Sequence, residues 1–325
     1  MAPGFLRGQT RTTTSSSIDA LFRLGAACIQ ERKYQEAEEA FRRIYQLDPG
    51  NLRGIVGLAE AILQQSTMEQ DRRAEAIRFV QSAADKNPTR MEFRTALGNL
   101  FVRFGNDDLA IAEFQRALDG GPKESKTAGD LYFRIGEAHH RMGNLNDAIR
   151  AFQQAKAADP NNTRALLHVA LILDGAGDGT GDGTGRASEV KPAYDELLKG
   201  EPDNAIALNN LAFIKAEEGV DLDGALAMAR RALQKLPNSP DIMDTVGWIY
   251  LKKGMSDEAI GAFRDAVQAF ARLVGAPERS TFHYHLAMAL LQKGDHSGAM
   301  QELQIALKNN PSKVEEQQIR ELMQN

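Results

Sequence analysis

Apolar residues recur along this chain at the three- and four-residue spacing that places them on one face of an α-helix. The runs come in pairs, and a short polar or glycine-containing segment separates the two runs of each pair. This pattern predicts an all-α protein built from pairs of amphipathic helices. The first pair of runs consists of Leu21, Leu24 and Cys28, followed by Ala37, Phe41 and Ile44.

Small residues recur in the first helix of each predicted pair. Their spacings are 34, 39, 38, 34, 42, 35 and 40 residues, which is a period of 34 with short insertions. In five units an alanine follows twelve residues later, and a larger apolar residue stands four residues after that alanine. A period in this range is typical of a solenoid, in which each unit buries its apolar face against its neighbours. The eight small residues are Gly25, Ala59, Gly98, Gly136, Ala170, Ala212, Gly247 and Ala287.

Glycines and prolines mark the helix ends in this pattern. We expect the glycines to end first helices with a positive φ, and the prolines to end second helices because they lack an N–H group. The turn glycines are Gly105, Gly143, Gly219, Gly254 and Gly294. The closing prolines are Pro49, Pro88, Pro122, Pro160, Pro202, Pro237 and Pro311.

The repeated constellation resembles the tetratricopeptide repeat. The resemblance covers about residues 18–311 and is clearest in Tyr132–Pro160 and Met243–Ala266. It implies a right-handed superhelical solenoid of about eight helix-turn-helix repeats that bind protein or peptide ligands in a concave groove. The units are expected at about 18–51, 52–90, 91–124, 129–162, 163–204, 205–239, 240–279 and 280–313.

The two ends of the chain differ from the repeats. Residues 1–17 are rich in serine and threonine, so we expect a disordered lead-in. Residues 314–325 contain the apolar spacing of a short helix, which would cover the exposed edge of the last repeat as terminal units of solenoids must.

Charge and hydropathy exclude some classes of partner and location. The net charge is −5, and no run of basic residues with interleaved aromatic residues occurs, so a nucleic-acid partner is not expected. No apolar stretch is long enough to span a bilayer. We expect a cytoplasmic protein from the sequence as given, with the periplasm as the alternative if a native leader has been removed. The oligomeric state is left open.

Catalytic and cofactor motifs are absent from the sequence. It contains no phosphate-binding loop, dinucleotide glycine pattern, nucleophile elbow or zinc-protease helix motif. His283 and His285 are two residues apart on a helix, so their side chains diverge by about 200°. We therefore interpret the histidines as scattered polar helix residues, and expect neither an enzyme nor a cofactor.

A glycine-rich insertion raises one metal hypothesis. Starting from Asp178, the segment places Asp178, Thr180, Asp182 and Glu189 at oxygen-ligand positions of an EF-hand-like calcium loop. Gly185 occupies a position where such loops carry a branched apolar residue, and threonine is a weak ligand. A glycine-rich connection between two helices explains the same residues, so no metal is expected, although a calcium-responsive adaptor stays a third, weaker option.

The resemblance also implies a partner-binding groove. Residues at positions 5 and 9 of the first helices in the last three units would line it and supply aromatic, methionine and amide contacts. For Trp248, the packing of neighbouring first helices is an equally good explanation. The predicted groove residues are Asn209, Phe213, Asp244, Trp248, Tyr284 and Met288.

These observations predict a non-catalytic scaffold or adaptor. A carboxylate clamp of the kind used by chaperone-binding family members is not expected, because Phe22, Ala26, Gly57, Glu92 and Ala96 occupy its positions in the first three units. The alternative is a regulatory or targeting arm of an enzyme or of an envelope assembly machine. The segment Leu208–Gly254 is loosely similar to bacterial members associated with pilus, secretion or exopolysaccharide export.

Overall fold

The computed structural model describes residues 4–65, 70–121, 125–175, 187–272 and 279–324. Within these ranges all regular structure is helical, which agrees with the all-α prediction. The chain divides into two compact units, Met1–Ala165 and Leu166–Asn325, here called unit 1 and unit 2.

Unit 1 contains four helix pairs, each joined by a short connection that makes its two helices antiparallel neighbours. Its helices are α1 Gly4–Gln30, α2 Tyr34–Leu47, α3 Leu52–Gln65, α4 Gln70–Lys86, α5 Met91–Arg103, α6 Asp107–Asp119, α7 Lys126–Arg141 and α8 Leu145–Ala158.

Helix α9, Thr163–Leu173, begins in unit 1 and ends in unit 2. Unit 2 continues through further helix pairs to a terminal single helix, α17. Its remaining helices are α10 Ala187–Gly200, α11 Ala205–Glu217, α12 Leu222–Lys235, α13 Pro240–Lys252, α14 Ser256–Ala271, α15 Ser280–Lys293, α16 His296–Lys308 and α17 Lys313–Gln324.

The recurring glycines allow the two helices of a pair to approach closely. A Cβ atom placed on Gly247 would lie 2.7 Å from the ring of Phe263, and one on Gly136 would lie 2.6 Å from the ring of Phe152. Both rings are fully buried. The small residue on the first helix is therefore covered by the aromatic side chain sixteen positions later. This ring, more than the alanine twelve positions on, is what requires the glycine.

The turn glycines adopt the backbone conformation expected of them. Gly294 ends α15 with φ 90°, and its N–H donates back to the carbonyl of Leu291. An L-residue with a side chain is strained at this φ. The prediction of positive φ is confirmed at all five glycines, with φ 70° at Gly105, 77° at Gly143, 68° at Gly219, 74° at Gly254 and 90° at Gly294.

The N-terminal prediction needs a correction. Helix α1 begins at Gly4, so residues 4–17 are helical, whereas their composition predicted a disordered lead-in. Serine and threonine are only about 0.5 kcal/mol per residue less favourable than alanine in a helix. Once the apolar face from Ile18 onward is packed, the helix is already nucleated, so its extension toward the N-terminus costs little free energy.

At the other end, α17 packs against the last helix pair of unit 2. Ile319 is fully buried, and it joins the apolar cluster that contains Leu303 and Ala306 of α16. The exposed faces of α17 carry charged and amide side chains. The capping role expected of residues 314–325 stays a prediction. Over the described ranges, no helix combines the length and the apolar character needed to cross a bilayer.

Candidate functional site

Trp248, the chain's only tryptophan, is packed between helices of unit 2. It is 8% exposed, and its ring centroid lies 4.5 Å from that of His285 and 6.4 Å from that of Phe213. Its Nε1 donates a hydrogen bond of 2.5 Å to Glu217 Oε1, and Lys252 Nζ lies 4.9 Å from its ring centroid. A buried indole N–H needs an acceptor, which Glu217 provides. Of the two roles left open by the sequence, Trp248 therefore has the packing role.

Asp244 and His285 form a buried pair beside this tryptophan. Asp244 on α13 is 7% exposed and His285 on α15 is 8% exposed. His285 Nδ1 lies 3.0 Å from Asp244 Oδ1 and 2.9 Å from Oδ2, and the ring N–H donates because a carboxylate accepts. The expectation that Asp244 hydrogen-bonds a ligand is therefore corrected, since its carboxylate is buried and already engaged.

The other predicted groove residues separate into two groups. Phe213 and Tyr284 are half-buried and line a cavity of about 1080 Å³ in unit 2. Asn209 and Met288 are also half-buried, but neither lines this cavity. The structure thus brings together two of the six predicted residues at one open surface. We call it the C-terminal cavity; it is lined by Phe213, Glu217, Phe270, Arg279, Ser280, Thr281, Tyr284, His285, Asn309, Asn310, Ser312, Val314, Glu315 and Gln318.

Aromatic side chains and charges share the lining of the C-terminal cavity. Arg279 pairs with Asp241 and stacks at 5.3 Å over the ring of Phe282, so its charge is compensated from outside the cavity. Glu315 makes no ion pair with any described residue. Burial, followed by the negative charges of Glu315 and Glu321, raises the pKa of the Tyr284 phenol. The Tyr284 hydroxyl therefore stays protonated and can donate a hydrogen bond.

Ser280 contributes an unused hydrogen-bonding group to the same lining. It is 4% exposed, and its Oγ is buried without a hydrogen-bond partner among the described residues. Ser280 is the first residue of α15, and Arg279 before it makes no capping hydrogen bond with its side chain. Buried hydroxyl groups in folded proteins are normally paired, so the Ser280 hydroxyl is a hydrogen-bonding group that no described residue satisfies.

Asn209 belongs to a separate polar chain. Its Nδ2 donates to Asn210 Oδ1 at 3.2 Å, Asn210 Nδ2 donates to Tyr194 Oη at 2.7 Å, and Tyr194 Oη donates to Asp174 Oδ2 at 3.2 Å. Burial raises the pKa of Asp174 and of Tyr194. Asn209 Oδ1 itself is buried without a partner among the described residues. This chain stabilises the packing of α9, α10 and α11 and lies outside the C-terminal cavity.

The histidines are not all scattered surface residues. His285 pairs with Asp244 as described, and His283 Nδ1 lies 2.7 Å from Glu302 Oε2 while being 6% exposed. Both are buried and partnered, which corrects the sequence interpretation for these two. Within the described ranges, no group of three or more His, Cys, Asp or Glu side chains is arranged to hold a metal ion. Of the calcium hypothesis, Asp178, Thr180, Asp182 and the Glu189 side chain lie outside the described residues.

Unit 1 has a smaller cavity of about 390 Å³ between α3 and α5, where Leu52, Val56, Met91 and Leu100 form an apolar wall. It offers fewer polar groups than the C-terminal cavity. Ligand sites combine an apolar wall with several convergent polar groups, so the C-terminal cavity is the stronger candidate.

Models of the tetratricopeptide repeat match four segments of this sequence. The segments are 18–51, 65–125, 129–162 and 247–314, which together cover more than half of the chain. The chain belongs to the tetratricopeptide repeat family. This result confirms the resemblance and the all-α repeat solenoid predicted from the sequence. Proteins of this family bind proteins or peptides.

Two curated proteins and one solved structure illustrate the similarity. TPR repeat-containing protein PA4667 of Pseudomonas aeruginosa is 23% identical over 172 residues, which is 53% of this chain and 27% of that protein. Human protein O-mannosyl-transferase TMTC1 is 22% identical over 189 residues, which is 58% of this chain and 20% of that protein. The matches thus span less than a third of either relative.

The solved structure is that of PilW, a widely conserved type IV pilus biogenesis factor. It superposes with a TM-score of 0.52 at 19% identity, covering 70% of this chain and 97% of PilW. At this identity the likeness extends to the fold alone.

Several site residues were missed in the sequence. Glu217, Ser280 and Glu315 were not singled out because serine and glutamate on helices are ordinary surface residues. The predicted groove residues were taken from positions 5 and 9 of the first helices in the repeats. Helix α17 lies outside the repeats, so this numbering could not identify it as part of the cavity lining. The apolar spacing of residues 314–325 predicted the helix, but it contained no signal for which of its glutamates would line a cavity with Tyr284.

Proposed function

We propose that this protein is a non-catalytic scaffold that binds a protein or peptide ligand in the C-terminal cavity. Membership of the tetratricopeptide repeat family supports the class of function. The observation that carries the location is the combination of half-buried aromatic side chains, Phe213 and Tyr284, with the unpartnered Ser280 hydroxyl on one cavity surface.

The cavity fits an extended peptide better than a small metabolite. A volume of about 1080 Å³ exceeds the roughly 300–1,000 Å³ of most small-molecule sites. Its walls come from α11, α14, α15 and α17, so a ligand would contact several helices at once. Aromatic side chains give large contact areas at low entropic cost, while serine and asparagine can hydrogen-bond a peptide backbone.

Affinity capture with two matched variants tests this proposal. The cavity variant is Phe213→Ala/Tyr284→Ala, and the control is Ile206→Ala/Met300→Ala, which removes two exposed apolar side chains outside the cavity lining. We expect a ligand protein that is retained by the unmodified chain and the control and lost by the cavity variant. Its affinity for each purified form should show the same order, with circular dichroism confirming that all three forms are folded.

Equal retention by all three forms would contradict the location of the site. Retention of no protein at all, from extracts of both soluble and envelope fractions, would contradict the scaffold function.

A second candidate function is a binding arm of a larger assembly. The two curated relatives support this candidate, because the segment that matches this chain is 27% of one relative and 20% of the other, and both are much longer proteins. In this case the retained ligand would be a catalytic or envelope-assembly protein, and mixing the two purified proteins would change its activity or its location. An activity that stays unchanged at saturating concentration would argue for the free scaffold.

A further inference from the structure

The charges of the chain are distributed unequally between its two units. Residues 166–325 carry 16 Lys and Arg against 23 Asp and Glu, a net charge of −7. Residues 1–165 carry 23 Lys and Arg against 21 Asp and Glu, a net charge of +2. The unit that contains the C-terminal cavity therefore has a net negative charge, whereas the other unit does not. A field of this sign attracts cationic ligands and raises their rate of association.

Within the cavity, one carboxylate is left for a ligand. Glu217 already accepts from the Trp248 indole and lies 3.2 Å from Lys252 Nζ. Arg279, the basic residue of the lining, pairs with Asp241, which lies outside the lining. Glu315, on the first turn of α17, is half-buried and makes no ion pair with any described residue.

Aromatic rings line the same cavity as Glu315. They belong to Phe213, Phe270 and Tyr284, and burial, followed by the charge of Glu315, raises the pKa of the Tyr284 phenol. A cationic side chain over an aromatic face is attracted by the negative face of the ring, in addition to its attraction to a carboxylate. A leucine or a glutamate in the same position would gain neither term.

The Ser280 hydroxyl supplies a second, independent contact. It is 96% buried at the start of α15 and lacks a partner among the described residues, although it lines the same cavity. A main-chain carbonyl of an extended peptide accepts a hydrogen bond from such a hydroxyl. Such a hydrogen bond would fix the backbone of a bound peptide, and Glu315 would then act on its side chain.

We infer that the C-terminal cavity binds a peptide through a lysine or arginine side chain, which pairs with Glu315 against Tyr284. This inference rests on the proposed function and adds the chemical class of its ligand. The anchor residue is cationic, its neighbours are apolar or polar, and its main chain meets Ser280.

Capped ten-residue peptide pools test the inference. Each pool is random over uncharged residues except at one central position, which is fixed as lysine, arginine, leucine or glutamate. Fluorescence anisotropy at low ionic strength gives the apparent affinity of each pool. We expect the lysine and arginine pools to bind about five- to tenfold more tightly than the leucine pool, the effect of one partly screened ion pair with a cation–π contact. The glutamate pool should bind most weakly.

Two variants of α17 locate the effect. Glu315→Gln should remove most of the preference for the basic pools and most of its dependence on salt. Glu316→Gln is the matched control, because Glu316 is the next residue of the same helix, pairs with Arg320 and does not line the cavity. It should leave the preference unchanged within about twofold, since exposed pairs contribute little.

The results separate this inference from the proposed function. Equal binding of all four pools, with loss of binding in Phe213→Ala/Tyr284→Ala, would overturn the basic anchor while leaving the peptide site in place. A preference that survives Glu315→Gln would also overturn it. Binding of no pool would overturn it as well, and the capture experiment, which does not use these peptides, would still decide the proposed function.

Discussion

Asp244 Oδ2 on α13 lies 2.9 Å from His285 Nδ1 on α15, and both side chains are buried between consecutive first helices of unit 2. The pair lies directly beside Trp248 and connects two repeats through one hydrogen-bonded contact. Because a buried polar group left without a partner is costly, the two residues depend on each other. The pair is thus a structural element behind the C-terminal cavity, whose lining includes His285.

Removing one member of this pair should destabilise the fold. We expect Asp244→Ala to lower the free energy of unfolding by about 2–3 kcal/mol, because it leaves the His285 ring N–H buried and unpaired. Asp257→Ala is the comparison, since Asp257 pairs with Lys293 at an exposed position and should cost less than about 1 kcal/mol. Urea denaturation followed by circular dichroism gives both values. Equal losses in the two variants would contradict the role of the buried pair.

The glycine–phenylalanine contact predicts opposite effects at two glycines of neighbouring helices. Gly247→Ala should destabilise the protein by about 1–3 kcal/mol, because its Cβ would lie 2.7 Å from the buried ring of Phe263. Gly261→Ala should stabilise it by about 0.5–1 kcal/mol, since Gly261 is exposed within α14 and nothing lies within 4 Å of its Cβ position. Thermal unfolding of the two variants is sufficient. A neutral Gly247→Ala would show that the close approach is not required.

The carboxyl of Asp174, whose pKa is raised by partial desolvation, predicts a stability difference that depends on pH. Burial raises its folded-state pKa above the unfolded value of 3.8, so the folded state favours the protonated form. The resulting destabilisation is fully present above the folded pKa and disappears as the pH falls below 3.8. Asp174→Asn imitates the protonated form and can still accept the hydrogen bond from Tyr194.

We therefore expect Asp174→Asn to be more stable than the unmodified protein at pH 7, and the difference to shrink as the pH falls toward 3.8. Chemical denaturation at a series of pH values measures this difference. A variant that is less stable at pH 7 would indicate that the charged carboxylate strengthens the polar chain through Tyr194.

The repeat pattern was sufficient to predict the fold because the contacts and turns that define a helix pair lie within one repeat. Gly247 and Phe263, or Gly294 and its turn, occur within one unit, so their relationship repeats along the sequence and is visible in it. The prediction of a disordered segment before residue 18 was wrong for residues 4–17, which are helical. Composition alone does not show that a packed helix can continue into a polar segment. Unit boundaries and the right-handed superhelix stay predictions.

The site was predicted only in part because its contacts join different repeats. The sequence separates Asp244 from His285 by 41 positions and Glu217 from Trp248 by 31, and no spacing rule connects them. The repeat positions of Asp244 and Trp248 predicted that both would face a ligand. In the structure each is buried and hydrogen-bonded to a residue of another helix, Asp244 to His285 and Trp248 to Glu217. Phe213 and Tyr284 both line the C-terminal cavity, and their role in binding a ligand stays a prediction.

Site-directed photo-crosslinking tests the central claim most directly, namely that the C-terminal cavity holds the ligand. A benzophenone amino acid is introduced in place of Val314, which lines the cavity and is 69% exposed, and in a second protein in place of Leu236, which is 46% exposed and does not line it. Each protein is irradiated in extract from its source cells. We predict one discrete crosslinked product from position 314, lost when Tyr284→Ala is added, and none from position 236. Crosslinking from position 236 alone, or a product from position 314 that persists in Tyr284→Ala, would contradict the claim.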